Sequence, residues 1–255
     1  MFRTACVAGG MIALLSLPAL ANDIEGCEQW KDDQKRIESC TRLLAVETYG
    51  ARTRAIIFAN RGYAYKNLKQ FEKAQTDYDA AVSHNPSYAR AFLLRGDLLS
   101  DAKKWEAAIV DYGQAIKNNE LLADAFTNRG VAYGRVAKFD KAIEDYTAAL
   151  RLAPKDALVL SNRCDAHRLS GNLKLAMTDC DAAIKLNPKY AAAFQNRGDV
   201  FSDLKQYKRA IADYTRAIEI EPKRVNAYIN RGYSFGQLDQ EQKAIEDYTK
   251  AIELD

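Results

Sequence analysis

The side chains with the most reactive chemistry open to them are two pairs of cysteines. Cys164 and Cys180 stand 16 residues apart, and Cys27 and Cys40 stand 13 apart. Such thiols can join as disulfides in an oxidising compartment, stay free as small core residues, or ligate a metal. Metal binding is the weakest of the three. Only His84 and His167 exist, and neither falls in a ligand-spaced cluster with cysteine. No nucleophile–base–acid constellation, phosphate-cradling loop or zinc-hydrolase motif is present. The sequence therefore points away from an enzyme, and no cofactor is expected. A second set of reactive groups recurs: Arg61, Arg95, Arg129, Arg163, Arg197 and Arg231, each followed by Asp77, Asp111, Asp145, Asp179, Asp213 and Asp247.

The elements that position these residues repeat. Successive arginines are 34 residues apart, and so are successive aspartates. A period in this range marks a repeat architecture. Each unit holds two apolar-periodic segments of about a dozen residues, the length of helices rather than strands. One alanine series runs through Ala74, Ala108, Ala142, Ala176, Ala210 and Ala244, and a second lies seven residues on. Small side chains there let helices approach closely. Pro86, Pro154, Pro188 and Pro222 close their units, because proline cannot continue a helix. Full units are expected near 55–88, 89–122, 123–156, 157–190, 191–224 and 225–255.

Residues 22–52 are helical but off-register, and read as a hairpin cap on the first unit. Cys27, Trp30, Ile37, Cys40, Leu43 and Leu44 supply its apolar face. Residues 1–21 read as a secretory signal, with Arg3, an apolar Ala5–Leu17 segment and a small-residue site ending at Ala21. The mature chain is expected to begin at Asn22, to be periplasmic or secreted, and to make no stable membrane insertion. A net charge of +3, from 37 basic against 34 acidic residues, is too mixed for a nucleic-acid stripe.

Glycine at the eighth place, alanine at the twentieth and twenty-seventh, and proline at the thirty-second resemble the tetratricopeptide repeat family, which shares the period. The resemblance covers residues 55–255. It implies an all-α, right-handed α-solenoid of six helix hairpins with the short N-terminal cap, whose first helices line a concave groove. Family members often end on a solvating helix. None follows here, so apolar surface near Ile252 is expected to stay open or to meet a partner.

Within that frame the arginines and aspartates fall near each other in each antiparallel hairpin and are expected to form six structural ion pairs, internal or between repeats. In five units a glycine on the first helix meets a tyrosine on the second, as Gly198 meets Tyr214. The fourth unit has Cys164 and Cys180 at those two places. That double departure, together with export, predicts a Cys164–Cys180 disulfide, and Cys27–Cys40 in the cap. Asn60, Asn128, Asn162, Asn196 and Asn230 share the sixth place, which in the family faces the groove. Asparagine donates and accepts at once, so the ladder can hold a peptide amide, or it can bond adjacent helices instead. The ninth place carries Asp97, Asp165 and Asp199, a negative zone suited to a basic or polar guest. The family's carboxylate clamp lacks its basic residues here.

The function read from the sequence is thus an exported, non-enzymatic scaffold that binds a partner protein or extended peptide in its groove. One alternative is an assembly subunit that self-associates through its C-terminal end. Another is an accessory module of an envelope enzyme.

Overall fold

The computed structural model describes residues 17–29 and 31–254. Residues 1–16, most of the expected signal, and Trp30 lie outside the described residues. Every regular element described is an α-helix. The chain divides into two compact units, residues 1–95 and 96–255.

The first unit holds α1 (Leu17–Gln29), α2 (Asp33–Leu44), α3 (Ala51–Asn67), α4 (Phe71–His84) and the start of α5 (Ala89–Asp101). The Asp32 side chain caps α2 by accepting from the backbone N–H groups of Gln34 and Lys35, which satisfies donors that have no intrahelical partner. Helix α1 starts at Leu17, inside the expected signal rather than after it. Helix α3 starts at Ala51, four residues ahead of the first expected unit. The Cys27 and Cys40 sulfurs lie at bonding distance, 2.04 Å, and pin α1 to α2. Asp23 of α1 takes a 2.6 Å contact from Arg42 of α2.

The second unit continues with α6 (Trp105–Asn118), α7 (Ala123–Arg135), α8 (Phe139–Leu152), α9 (Ala157–Leu169) and α10 (Leu173–Leu186). It ends with α11 (Ala191–Asp203), α12 (Tyr207–Ile220), α13 (Val225–Gly236) and α14 (Glu241–Leu254). Each helix packs on the next, and α7, α9, α11 and α13 also pack on one another. The second helices α8, α10, α12 and α14 make no such mutual contact among the described residues. The first helices of this unit therefore form its inner wall.

The hairpin geometry follows from two sets of positions. The first is the alanine series: Ala108, Ala142, Ala176 and Ala210 are all wholly buried, where a larger side chain would force the helices apart. The second is the turn between the two helices of a hairpin. Lys69, Lys103, Ala137, Gly171, Lys205 and Asp239 occupy one place, all with φ between 55° and 83°. Only Gly171 adopts that left-handed conformation without steric cost. No helix among the described residues is long and apolar enough to cross a membrane.

Candidate functional site

The arginine at the seventh place holds the hairpin together. Its guanidinium grips the aspartate of the same hairpin with two parallel hydrogen bonds of 2.7–2.8 Å in Arg61–Asp77, Arg129–Asp145, Arg163–Asp179, Arg197–Asp213 and Arg231–Asp247. Arg95 and Asp111 lie on either side of the boundary between the two units. The carboxylates are buried, and they hold Arg61, Arg129 and Arg197 above the usual guanidinium pKa. Burial pulls the Asp145 carboxyl upward against Arg129. Two short hydrogen bonds to a group that never deprotonates keep that pair ionised.

A third contact was not foreseen from the sequence. The remaining Nη1 of the arginine reaches back to the second helix of the preceding hairpin, over 20 residues from Arg61 and 16 from the others. Arg61 meets Thr41 at 3.1 Å, Arg95 meets Asp79 at 2.7 Å, and Arg163 meets Thr147 at 3.1 Å. Arg197 meets Asp181 at 2.8 Å and Arg231 meets Thr215 at 3.0 Å. Arg61, Arg163, Arg197 and Arg231 thus tie their own hairpins and staple each to the one before. The signal was a polar residue recurring at that interval.

The fourth hairpin departs from its neighbours as expected. Cys164 and Cys180 are fully buried with their sulfurs 2.00 Å apart. They replace a tight glycine–tyrosine contact: a Cβ added at Gly198 would lie 2.6 Å from the Tyr214 ring. His167 replaces the aromatic ring that elsewhere lies beneath the arginine, such as Phe201 beneath Arg197. It sits 3.8 Å from Asp179, its Nδ1 is buried without a partner, and burial lowers its pKa.

The asparagine ladder divides. Asn128 donates to Asp97 at 2.9 Å and Asn230 to Asp199 at 2.8 Å. Asn196 donates to the Ser161 carbonyl and hydroxyl at 2.9 and 3.0 Å. These three amides bond the preceding first helix, which was the alternative left open above. Asn60 and Asn162 make no such bond among the described residues. The same seam absorbs two of the three acids. The Tyr112 hydroxyl donates to Asp97 at 2.9 Å, and the Tyr214 hydroxyl to Asp199 at 2.8 Å. Burial raises the Asp199 pKa against those hydrogen bonds, and raises both tyrosines. Asp97 and Asp199 are thus engaged by internal donors. Asp165 is held by Arg168 at 2.9 Å, and Arg168 also reaches Asp203 at 3.1 Å.

On the inner wall of the second unit lies a cavity of about 320 Å³. Asn162, Asp165 and Asn196 line it, with Val131, Arg135 and Tyr146 among the other walls. No group of three or more His, Cys, Asp or Glu side chains able to hold a metal occurs among the described residues.

Stacked helix hairpins with this wall define a helical repeat protein. Sequence profiles described as tetratricopeptide repeat match residues 123–156, 225–255 and 60–124, and one described as TPR repeat matches 198–239. The chain belongs to the tetratricopeptide repeat family. Its fold is similar to a tetratricopeptide repeat protein from Parabacteroides merdae, with a TM-score of 0.72 at 19% identity over 92% of this chain and 93% of that one. It is also similar to YrrB, titled a TPR protein with an unusual peptide-binding site, with a TM-score of 0.53 at 21% identity over 69% and 91%. MamA matches with a TM-score of 0.54 at 23% identity over 62% and 93%. No curated protein sequence matches the chain.

Proposed function

We propose that the chain is an exported, non-enzymatic scaffold that holds an extended segment of a partner protein along the wall of α7, α9, α11 and α13. The observation that carries this reading is the cavity on that wall, because Asn162 enters it with its amide unspent. A free amide beside apolar Val131, Phe139 and Leu169 suits a backbone that needs both a hydrogen bond and cover for its side chains. The likeness to YrrB supports a peptide guest. Two buried disulfides and the leader-like residues 1–21 support an oxidising, periplasmic or secreted location.

The test is capture of partners from the native compartment by the disulfide-intact chain, followed by Asn162→Leu. Leu94 already stands at the equivalent place, so the fold tolerates leucine there. Loss of capture with unchanged circular dichroism supports the reading, and equal capture refutes it. A second reading has its own observation. Ile245, Tyr248 and Ile252 on α14 are 57%, 39% and 79% exposed, where Tyr112 and Tyr214 are 1% exposed. That face fits self-association, and Ile252→Glu would then abolish a concentration-dependent rise in mass.

A further inference from the structure

The seam contains a three-residue motif that is complete in two hairpins and broken in the one between α7 and α9. In the complete form a ninth-place aspartate accepts from a tyrosine 15 residues on and an asparagine 31 residues on. Asp97 with Tyr112 and Asn128 is one instance, and Asp199 with Tyr214 and Asn230 is the other. Tyr146 and Asn162 keep the same two intervals, but the ninth-place residue they are counted from is Val131. Neither donor has a hydrogen-bond partner among the described residues, and all three line the same cavity. The twelfth place has also changed. It is Ser100 and Ser202 beside the complete motifs, where each serine hydrogen-bonds its tyrosine. It is Gly134 here, where an added Cβ would meet nothing within 4 Å. The broken motif therefore combines two unmet donors, no carboxylate of its own, and open space where its relatives hold the serine.

We infer that this gap is a subsite for an aspartate or glutamate side chain of the bound peptide, which completes the motif with Tyr146 and Asn162. The inference rests on the groove reading above and names the guest's chemistry. Asp97 and Asp199 show internally what the guest group must be: a carboxylate carried on a side chain and accepting from both donors. The charges nearby are mixed. Arg135 and Asp165 both line the cavity, and burial, Asp165 and Asp145 raise the Tyr146 pKa against Arg135. The competing acid, Asp165, is already bridged by Arg168. Arg224 lines the far wall and is held by Glu221 at 2.7 Å and Gln195 at 2.6 Å. The two unmet donors, rather than the net field, therefore carry the assignment.

Two measurements test this. An array of random peptides with amidated C-termini is probed with the disulfide-intact chain and with Val131→Asp, which builds the missing carboxylate into the gap. The expected result is a fixed Asp or Glu position among the binders, and about tenfold or greater weakening in V131D. Binders with no acidic preference overturn the subsite but leave the groove standing. In parallel, the ¹⁵N-labelled chain is titrated with acetyl-Ala-Glu-Ala-amide, acetyl-Ala-Gln-Ala-amide and acetyl-Ala-Gln-Ala with a free carboxyl. The Asn162 side-chain amide signals should move with the first only. Movement with the third alone assigns the gap to a chain terminus and refutes the side-chain assignment. No movement with any of the three overturns the inference even if the array is empty.

Discussion

Replacing Arg197 by Met should cost about 3–5 kcal/mol of unfolding free energy. The figure follows from what is left behind. The Asp213 side chain is 9% exposed and loses both of its 2.8 Å hydrogen bonds. A buried carboxylate without its partner falls in that range. The contact to Asp181 adds little, because that carboxylate is 55% exposed. An exposed pair is worth under about 1 kcal/mol and is screened by salt. Removing both buried charges in Arg197→Met with Asp213→Leu should restore stability to within about 1–2 kcal/mol of the parent. Arg197 also staples two hairpins, so R197M should lower the cooperativity of unfolding as well as its midpoint. The assay is equilibrium urea unfolding of the oxidised chain at low and high salt, followed by far-ultraviolet circular dichroism. A loss below about 1 kcal/mol in R197M, or a double variant as unstable as the single, would refute a buried hairpin clip.

Mass spectrometry of thiol-blocked, unreduced protein should find no free thiol at Cys164 or Cys180. Loss of the Cys164–Cys180 bond should cost about 3 kcal/mol for a loop of this length, and Cys164→Gly with Cys180→Tyr should fold and keep only the share of the reductant response that belongs to Cys27–Cys40. Gly198→Ala places a Cβ 2.6 Å from a buried tyrosine ring. It should destabilise by about 1–3 kcal/mol, despite alanine's better helix propensity; a gain in melting temperature would refute the contact. His167 is held below its ordinary pKa by burial, so the unfolded chain binds the proton more tightly. Its contribution to stability should fall as pH drops below about 6.5. His167→Phe should flatten that part of the stability-against-pH curve, and an unchanged slope would exclude His167 as its source.

The architecture was legible because it rests on local and periodic signals. Gly198, Ala210, Asp213 and Pro222 each recur at one interval, and only stacked hairpins bury such a pattern. The Arg–Asp pairs and the paired cysteines could be read for the same reason, since facing positions within a hairpin lie at a fixed separation in the chain. The groove residues could not be read that way. Asn162 and Asn196 look alike in sequence, yet one enters the cavity unbonded and the other bonds Ser161. Asp97, Asp165 and Asp199 share a place, but Tyr112 and Tyr214 engage the outer two, while Cys180 stands where the tyrosine of the middle one would be.

The period by itself determined the helices, their pairing and the buried charges, because those contacts lie within one repeat or between copies of it. Which polar groups stay available was decided only by the packing of one hairpin against the next. A donor's fate depends on whether an acceptor 15 or 31 residues away reaches it at hydrogen-bond distance, and that distance is set by the stacked helices.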